Sequence, residues 1–270
     1  MKKKWLLVIG VILTGLIVGT TAFALTSGND GYQTYKTALK NTWVVPNLTA
    51  TAGVSVTDDG YPLLNSRDMM KMDLGSKDMS GYFIISARGQ DCVAELYQQD
   101  SRMVTRIGGG DLSSVPGNKA DRYEAGYQTF KANAREVERI IDLMTLNLQK
   151  SMTINDNPDG TRDVSLQVTG AQIPDLENAI VSLLLKSANN SPATGPVSSL
   201  ISGSLPRLVE NITVNGIDFQ AKINADDLIS QQTVNIAVSG EDADGNRHNL
   251  MLGLDLNLSG FGSTVPDTVK

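Results

Sequence analysis

The chain has 270 residues, with 23 Lys and Arg against 29 Asp and Glu, and a formal net charge of −6 at pH 7. This acidic balance, with no basic patch, argues against nucleic acid as a partner. Cys92 is the only cysteine, so an internal disulfide is excluded. The length is sufficient for one large domain with a substantial core.

The N-terminus predicts export. Three lysines precede an uncharged run from Trp5 to Val18, and Ala22-Phe23-Ala24 then matches the small-x-small pattern at which signal peptidase cuts. We therefore predict a signal peptide over residues 1–24 and a single exported domain over residues 25–270.

An uncleaved membrane anchor is the alternative. The uncharged run from Trp5 to Leu25 reaches the ~20 residues that cross a bilayer, and the lysines would hold its N-terminal end in the cytoplasm. Both interpretations place the domain outside the cytoplasmic membrane. The boundary lacks the cysteine that a bacterial lipoprotein would acylate there.

Three helices are predicted from apolar residues at helical spacing. Residues 30–43 place Tyr32, Tyr35 and Leu39 on one side. Residues 132–149 form an amphipathic pattern. Residues 174–188 begin at a proline and are apolar almost all round, so this helix should be covered on more than one side. A polar loop follows over 189–199.

Strands are predicted from alternating apolar residues and turn signals. "LTATAGVSV", "YFIISARG", "CVAELYQQ" and "RMVTRIGG" read as strands, and residues 111–121 read as a loop. Hairpins are expected to turn at Asp59-Gly60, Asp159-Gly160 and Asp244-Gly245. Sequential hairpins with segregated helices indicate the α+β class and an antiparallel sheet.

The last strand carries the clearest pattern. Its even-numbered leucines should point to one side, whereas Met251, Gly253, Asp255 and Asn257 point to the other. The sheet should therefore have one strongly apolar face.

The order of these elements resembles that of the lipoprotein-carrier superfamily, which includes LolA, LolB and LppX-like proteins. An exported chain opens with the helix "YQTYKTALKNT" and the strand "LTATAGVSV", and two further helices interrupt an antiparallel meander. The resemblance implies a curved antiparallel sheet, an incomplete β-barrel, with about three helices on its concave face. It also implies a cavity between sheet and helices that holds acyl chains.

Candidate cavity residues follow from the apolar helix, the leucine strand and a methionine cluster, "MMKMDLGSKDM". Thioethers can bind copper(I), but they also line adaptable apolar surfaces, which is the interpretation preferred here. The predicted cavity residues are Ile180, Leu183, Leu184, Leu250, Leu252, Leu254, Leu256, Met70 and Met72.

The sequence offers no pattern for catalysis or metal binding. His248 is the only histidine and lies at a predicted hairpin end, so a solvated turn residue is preferred over a pH-sensitive gate. The acidic turns lack the glutamate of a calcium loop, and Gly108 to Gly110 precede no predicted helix that could bind phosphate. We expect no enzyme activity, no cofactor and no metal.

Two functions remain open at this point. The preferred one is a non-catalytic protein that binds or carries a lipid or other apolar small molecule near the membrane. The alternative is a structural or regulatory interaction module with a filled core, which docks on the membrane surface or on a membrane protein. A hydrolase is disfavoured because the chain has no Gly-x-Ser-x-Gly motif.

Overall fold

A computed structural model describes residues 30–99, 102–115, 150–170, 173, 200–201 and 203–269. These residues form one antiparallel sheet with a helix against one of its faces. The helix is α1 (Asp30–Trp43). The strands are β1 (Asn47–Asp58), β2 (Tyr61–Asp73), β3 (Asp78–Ala87), β4 (Gln90–Gln99), β5 (Arg102–Ile107), β6 (Ser113–Val115), β7 (Met152–Asp156), β8 (Arg162–Thr169), β9 (Glu210–Ile223), β10 (Ile229–Glu241) and β11 (Arg247–Ser259).

The sheet consists of two meanders joined through the first and last strands. Its order is β6-β5-β4-β3-β2-β1-β11-β10-β9-β8-β7, and all neighbours are antiparallel. Among the described strands, β6 and β7 are the two edges and do not pair with each other, so the sheet is open. The predicted open antiparallel sheet is therefore confirmed.

The three predicted hairpin turns are all found where the strands reverse. At the first of them, Asp59 and Gly60 have φ values of 48° and 85°. Positive φ at both central residues suits the right-handed twist of the flanking strands, and Asp-Gly reaches it at little cost.

The pairing register gives the sheet one apolar face. Ala52 of β1 lies opposite Leu256 of β11 on one side and Asp68 of β2 on the other, so these three side chains share a face. The leucines at 250, 254, 256 and 258 are buried on that face and Leu252 is half-buried, whereas Met251, Asp255 and Asn257 are exposed. The predicted division of this strand into two sides is confirmed.

Helix α1 has the predicted bounds and packs on strands β7 to β10. The ring of Tyr35 lies edge-on to Phe219 with centroids 4.9 Å apart, and the Thr42 hydroxyl accepts a hydrogen bond of 2.8 Å from the Ile229 amide. A Cβ added at Gly31 would lie 3.1 Å from the Thr153 backbone. The helix therefore approaches the sheet closely at its first turn and is tied to it at its last.

Two strands of the sheet were not predicted from the sequence. The predicted loop at 111–121 contains β6, which pairs with β5 as a short edge strand. Strand β9 was not predicted, because a bulge near Asn215 shifts its register and interrupts the alternation of apolar residues. About three helices were expected; the described residues contain only α1 as a full helix, and the predicted helices at 132–149 and 174–188 lie outside them, as does the 189–199 loop.

Candidate functional site

The candidate site is the face of the sheet that carries the leucines, here called the apolar face. Directly paired residues share a face, so it can be followed across all strands from the register. Its members near the centre are Ala50, Ala52, Val54, Val56, Leu250, Leu252, Leu254, Leu256, Leu258, Val234, Ile236, Leu64, Met70, Met72, Met79, Phe83 and Ile85. The apolar face therefore extends well beyond the strands on which α1 packs.

The structure brings six of the nine predicted cavity residues onto this face. Leu250, Leu252, Leu254 and Leu256 lie along β11, and Met70 and Met72 lie two strands away on β2. Ile180, Leu183 and Leu184 lie outside the described residues. That these side chains line a cavity stays a prediction.

The methionine cluster divides between the two faces. Met72 and Met79 lie directly opposite each other on the apolar face, whereas Met69 is on the other face and 43% exposed. Cys92 also lies on the apolar face, half-buried beside Ile85, and burial raises the pKa of its thiol. Both placements agree with apolar packing.

Asp68 is a carboxyl group in the middle of the apolar face, and sequence reasoning missed it. The residue is only 7% exposed. Its Oδ2 accepts a hydrogen bond of 2.8 Å from the Ser66 hydroxyl, but its Oδ1 has no partner within the described part of the chain. Burial raises the pKa of Asp68 to about 6, although the hydrogen bond from Ser66 acts to lower it. The sequence did contain a signal, because Asp68 is an even number of residues from Leu64 and from Met70, and this spacing places all three on one face of a strand.

Gln232 is the corresponding polar residue in the half of the face under α1. It is 2% exposed, and its Oε1 accepts a hydrogen bond of 2.8 Å from the Tyr35 hydroxyl. Burial raises the pKa of that hydroxyl, so it remains a donor. The protein thus supplies a partner for the buried acceptor on β10, whereas the described residues supply none for one oxygen of the buried acceptor on β2.

His248 is not the solvated turn residue that the sequence predicted. Its Nδ1 lies 2.6 Å from Oδ2 of Asp58 and its Nε2 lies 3.2 Å from Oδ2 of Asp242. Burial alone would lower the pKa of His248, but the two carboxylates outweigh it and raise that pKa. Both ring nitrogens face carboxylates, so neither is free to act on a substrate, and the residue ties two strand ends together.

Two open pockets are lined by described residues. The larger, of about 540 Å³, is lined by Tyr97, Gln99, Arg102, Val104 and Val269 on the opposite side of the sheet. The smaller, of about 190 Å³, lies beside α1 and the ion pair of Arg162 and Asp227. Mixed polar linings and open shapes do not suit an acyl chain.

In the described part of the chain, no group of three or more His, Cys, Asp or Glu is placed to hold a metal ion. In the same residues, no helix has the length and hydropathy needed to cross a membrane.

Comparison with known proteins gives only distant likenesses. No protein-family model matches the sequence, and no curated protein is significantly similar to it. A LolA superfamily protein from Nitrosomonas europaea is similar in structure at 6% identity, over 91% of this chain and 96% of that one, with a TM-score of 0.23. A beta-barrel-like protein of a domain of unknown function from Brucella abortus is similar at 8% identity, over 80% of this chain and 98% of that one, with a TM-score of 0.18. At these TM-scores no functional conclusion rests on either likeness.

Proposed function

We propose that this chain is a non-catalytic extracytoplasmic protein that binds or carries a lipid or other apolar ligand near the membrane. The observation that carries the proposal is that the apolar face extends beyond the described residues that pack on it. The face continues from β7 to β5 across an open sheet. Of the described residues, α1 packs on β7 to β10, and Ile201 and Leu208 pack beside Leu64, Ile85 and Leu250. An apolar surface of this size needs an apolar partner, and a bound chain can supply part of it.

A second candidate function is supported by the packing of β11. Leu250, Leu254 and Leu256 are each 6% exposed or less and contact apolar neighbours from β1 and β10. If the whole face is filled in this way by the protein's own side chains, the domain is an interaction module that docks a membrane partner and holds no ligand.

Native mass spectrometry of the domain, purified from the exported fraction of its host, separates the two functions. A co-purifying lipid mass supports the carrier. A bare protein mass that also fails to take up a fluorescent apolar probe supports the interaction module and contradicts our proposal.

Substitutions in the predicted helix at 174–188 give an independent test. Leu→Ala in a packed interior lowers the free energy of unfolding by about 2–5 kcal/mol, because it creates a void. Shortening a side chain that lines an existing cavity creates no new void, so it costs less. Among Ile180, Val181, Leu183, Leu184 and Leu185, at least one alanine variant should keep its denaturant midpoint and yet bind the probe more weakly. Leu39→Ala, in the packed core between α1 and the sheet, is the comparison for the full core cost.

A further inference from the structure

The position of Asp68 on the apolar face destabilises the folded protein. A carboxyl group removed from water without full hydrogen bonding destabilises the folded state, and such groups are rare in protein interiors. The strands on either side offer no donor, because Asp68 lies between Ala52 of β1 and Phe83 of β3. No charged side chain shares this part of the apolar face on either neighbouring strand. Among the residues that the structure describes, Oδ1 therefore has no hydrogen-bond donor.

The side chains directly opposite Asp68 on the neighbouring strands do not reach across to its carboxyl group. Ala52 is small, and the ring of Phe83 lies over Gly81, where an added Cβ would be 2.7 Å from the ring. The ring thus leans along its own strand instead of across to Asp68. Met70, the next residue on this face of β2, is flexible and suits contact with an apolar chain.

Protonation of Asp68 does not give Oδ1 a hydrogen-bond partner. An ionised Asp68 leaves Oδ1 as an acceptor without a donor, and a protonated one would place a hydroxyl there that still lacks a partner. At neutral pH, a carboxyl with a pKa of about 6 is mostly ionised. The partner that best satisfies it is a group that is both positively charged and a hydrogen-bond donor.

Resting on the function proposed above, we propose that Asp68 is the head-group site of the apolar face, and that the ligand is an amphiphile with a cationic, hydrogen-bond-donating head such as a protonated amine. The tail would lie along the apolar face beside Met70, and the head would donate to Oδ1 of Asp68. Free fatty acids are poor ligands on this proposal, because their carboxylate repels that of Asp68 and donates no hydrogen bond.

Binding of two chains of equal length tests the proposal. Dodecylammonium and dodecanoate are titrated below their micellar concentrations at pH 7.5 into wild type, Asp68→Asn and Asp91→Asn. The last is the matched control, because Asp91 is an exposed acid on the opposite face and its substitution changes the net charge equally. Wild type and Asp91→Asn should bind the amine at least tenfold more tightly than the acid, and Asp68→Asn should lose most of that preference.

The outcomes separate this proposal from the general one. If both chains bind but Asp68→Asn keeps the wild-type preference, or if wild type prefers dodecanoate, Asp68 is not the head-group site while the apolar-ligand function survives. If wild type binds neither chain, both proposals are wrong. Asp68→Val also removes the carboxyl and places a strand-favouring apolar residue on the apolar face, so it provides the test should Asp68→Asn fail to fold; if this variant keeps the amine preference, the proposal is wrong.

Discussion

Nδ1 of His248 lies 2.6 Å from Oδ2 of Asp58, which joins the start of the last strand to the end of the first. These two strands, β11 and β1, are where the two meanders meet. Asp242, in the turn before β11, approaches the other ring nitrogen, and hydrogen bonds from Asn246 hold the pKa of Asp242 at about 2. The contacts between His248 and the two carboxylates at this junction therefore depend on the charge of His248, which changes with pH.

His248→Gln should destabilise the protein more at pH 6 than at pH 9. The pKa of His248 is raised in the folded state, so its contribution is fully present below the unfolded-state pKa and is lost as pH rises through the folded-state pKa. Urea midpoints at the two pH values measure this. Arg247→Gln, at an exposed neighbour, is the control, and an equal loss at both pH values would contradict the prediction.

Asp68→Asn should stabilise the protein above pH 6. The pKa of Asp68 rises from 3.8 to about 6 on folding, so between these values the folded state binds more protons and wild-type stability falls as pH rises. The variant should gain up to about 3 kcal/mol at pH 8 and nothing below pH 4. Chemical denaturation across this range measures the gain.

Ser66→Ala should have the opposite effect on stability in the same measurement. It removes the hydrogen bond that Oδ2 of Asp68 accepts, so it should destabilise the protein above pH 6. A stabilising effect of Ser66→Ala at pH 8 would show that this bond does not support the ionised carboxyl.

Leu254→Asp should cost several kcal/mol, because it places an unpaired charge on the apolar face where Leu254 is 6% exposed. Met251→Asp, on the other face and 44% exposed, should cost much less. Thermal melting of both variants compares them. Equal losses would mean that the sheet is covered equally on both sides.

Tyr35→Phe should cost about 1–3 kcal/mol, because it leaves the buried Oε1 of Gln232 without its donor. Tyr61→Phe is the matched control, since Tyr61 is 75% exposed. Denaturant midpoints give the difference, and a Tyr35→Phe variant as stable as the control would show that the hydrogen bond contributes nothing net.

Cleavage after Ala24 is the prediction for the N-terminus. The small-x-small site follows an uncharged run, so mature protein from the native host should begin at Leu25. N-terminal sequencing decides this, and a membrane-bound chain that still begins at Met1 or Lys2 would establish the anchor instead.

Local pattern in the sequence was enough to predict α1, most strands and all three Asp-Gly turns. Helical spacing of Tyr32, Tyr35 and Leu39 and the alternation along β11 depend on residues close together in the chain, so they can be read without a structure. The division of β11 into a buried and an exposed side follows from the same period. Compartment and ligand class remain predictions.

Only the tertiary structure decided which residues meet across the sheet. The bulge in β9 breaks the period that sequence analysis uses, and β6 is defined by its pairing with β5. His248 meets Asp58 only because β11 pairs with β1, 190 residues away in the chain. Asp68 is unusual only because pairing with β1 and β3 surrounds it with apolar side chains. A carboxyl or imidazole takes its pKa and its partners from such distant contacts, and local periodicity carries no information about them.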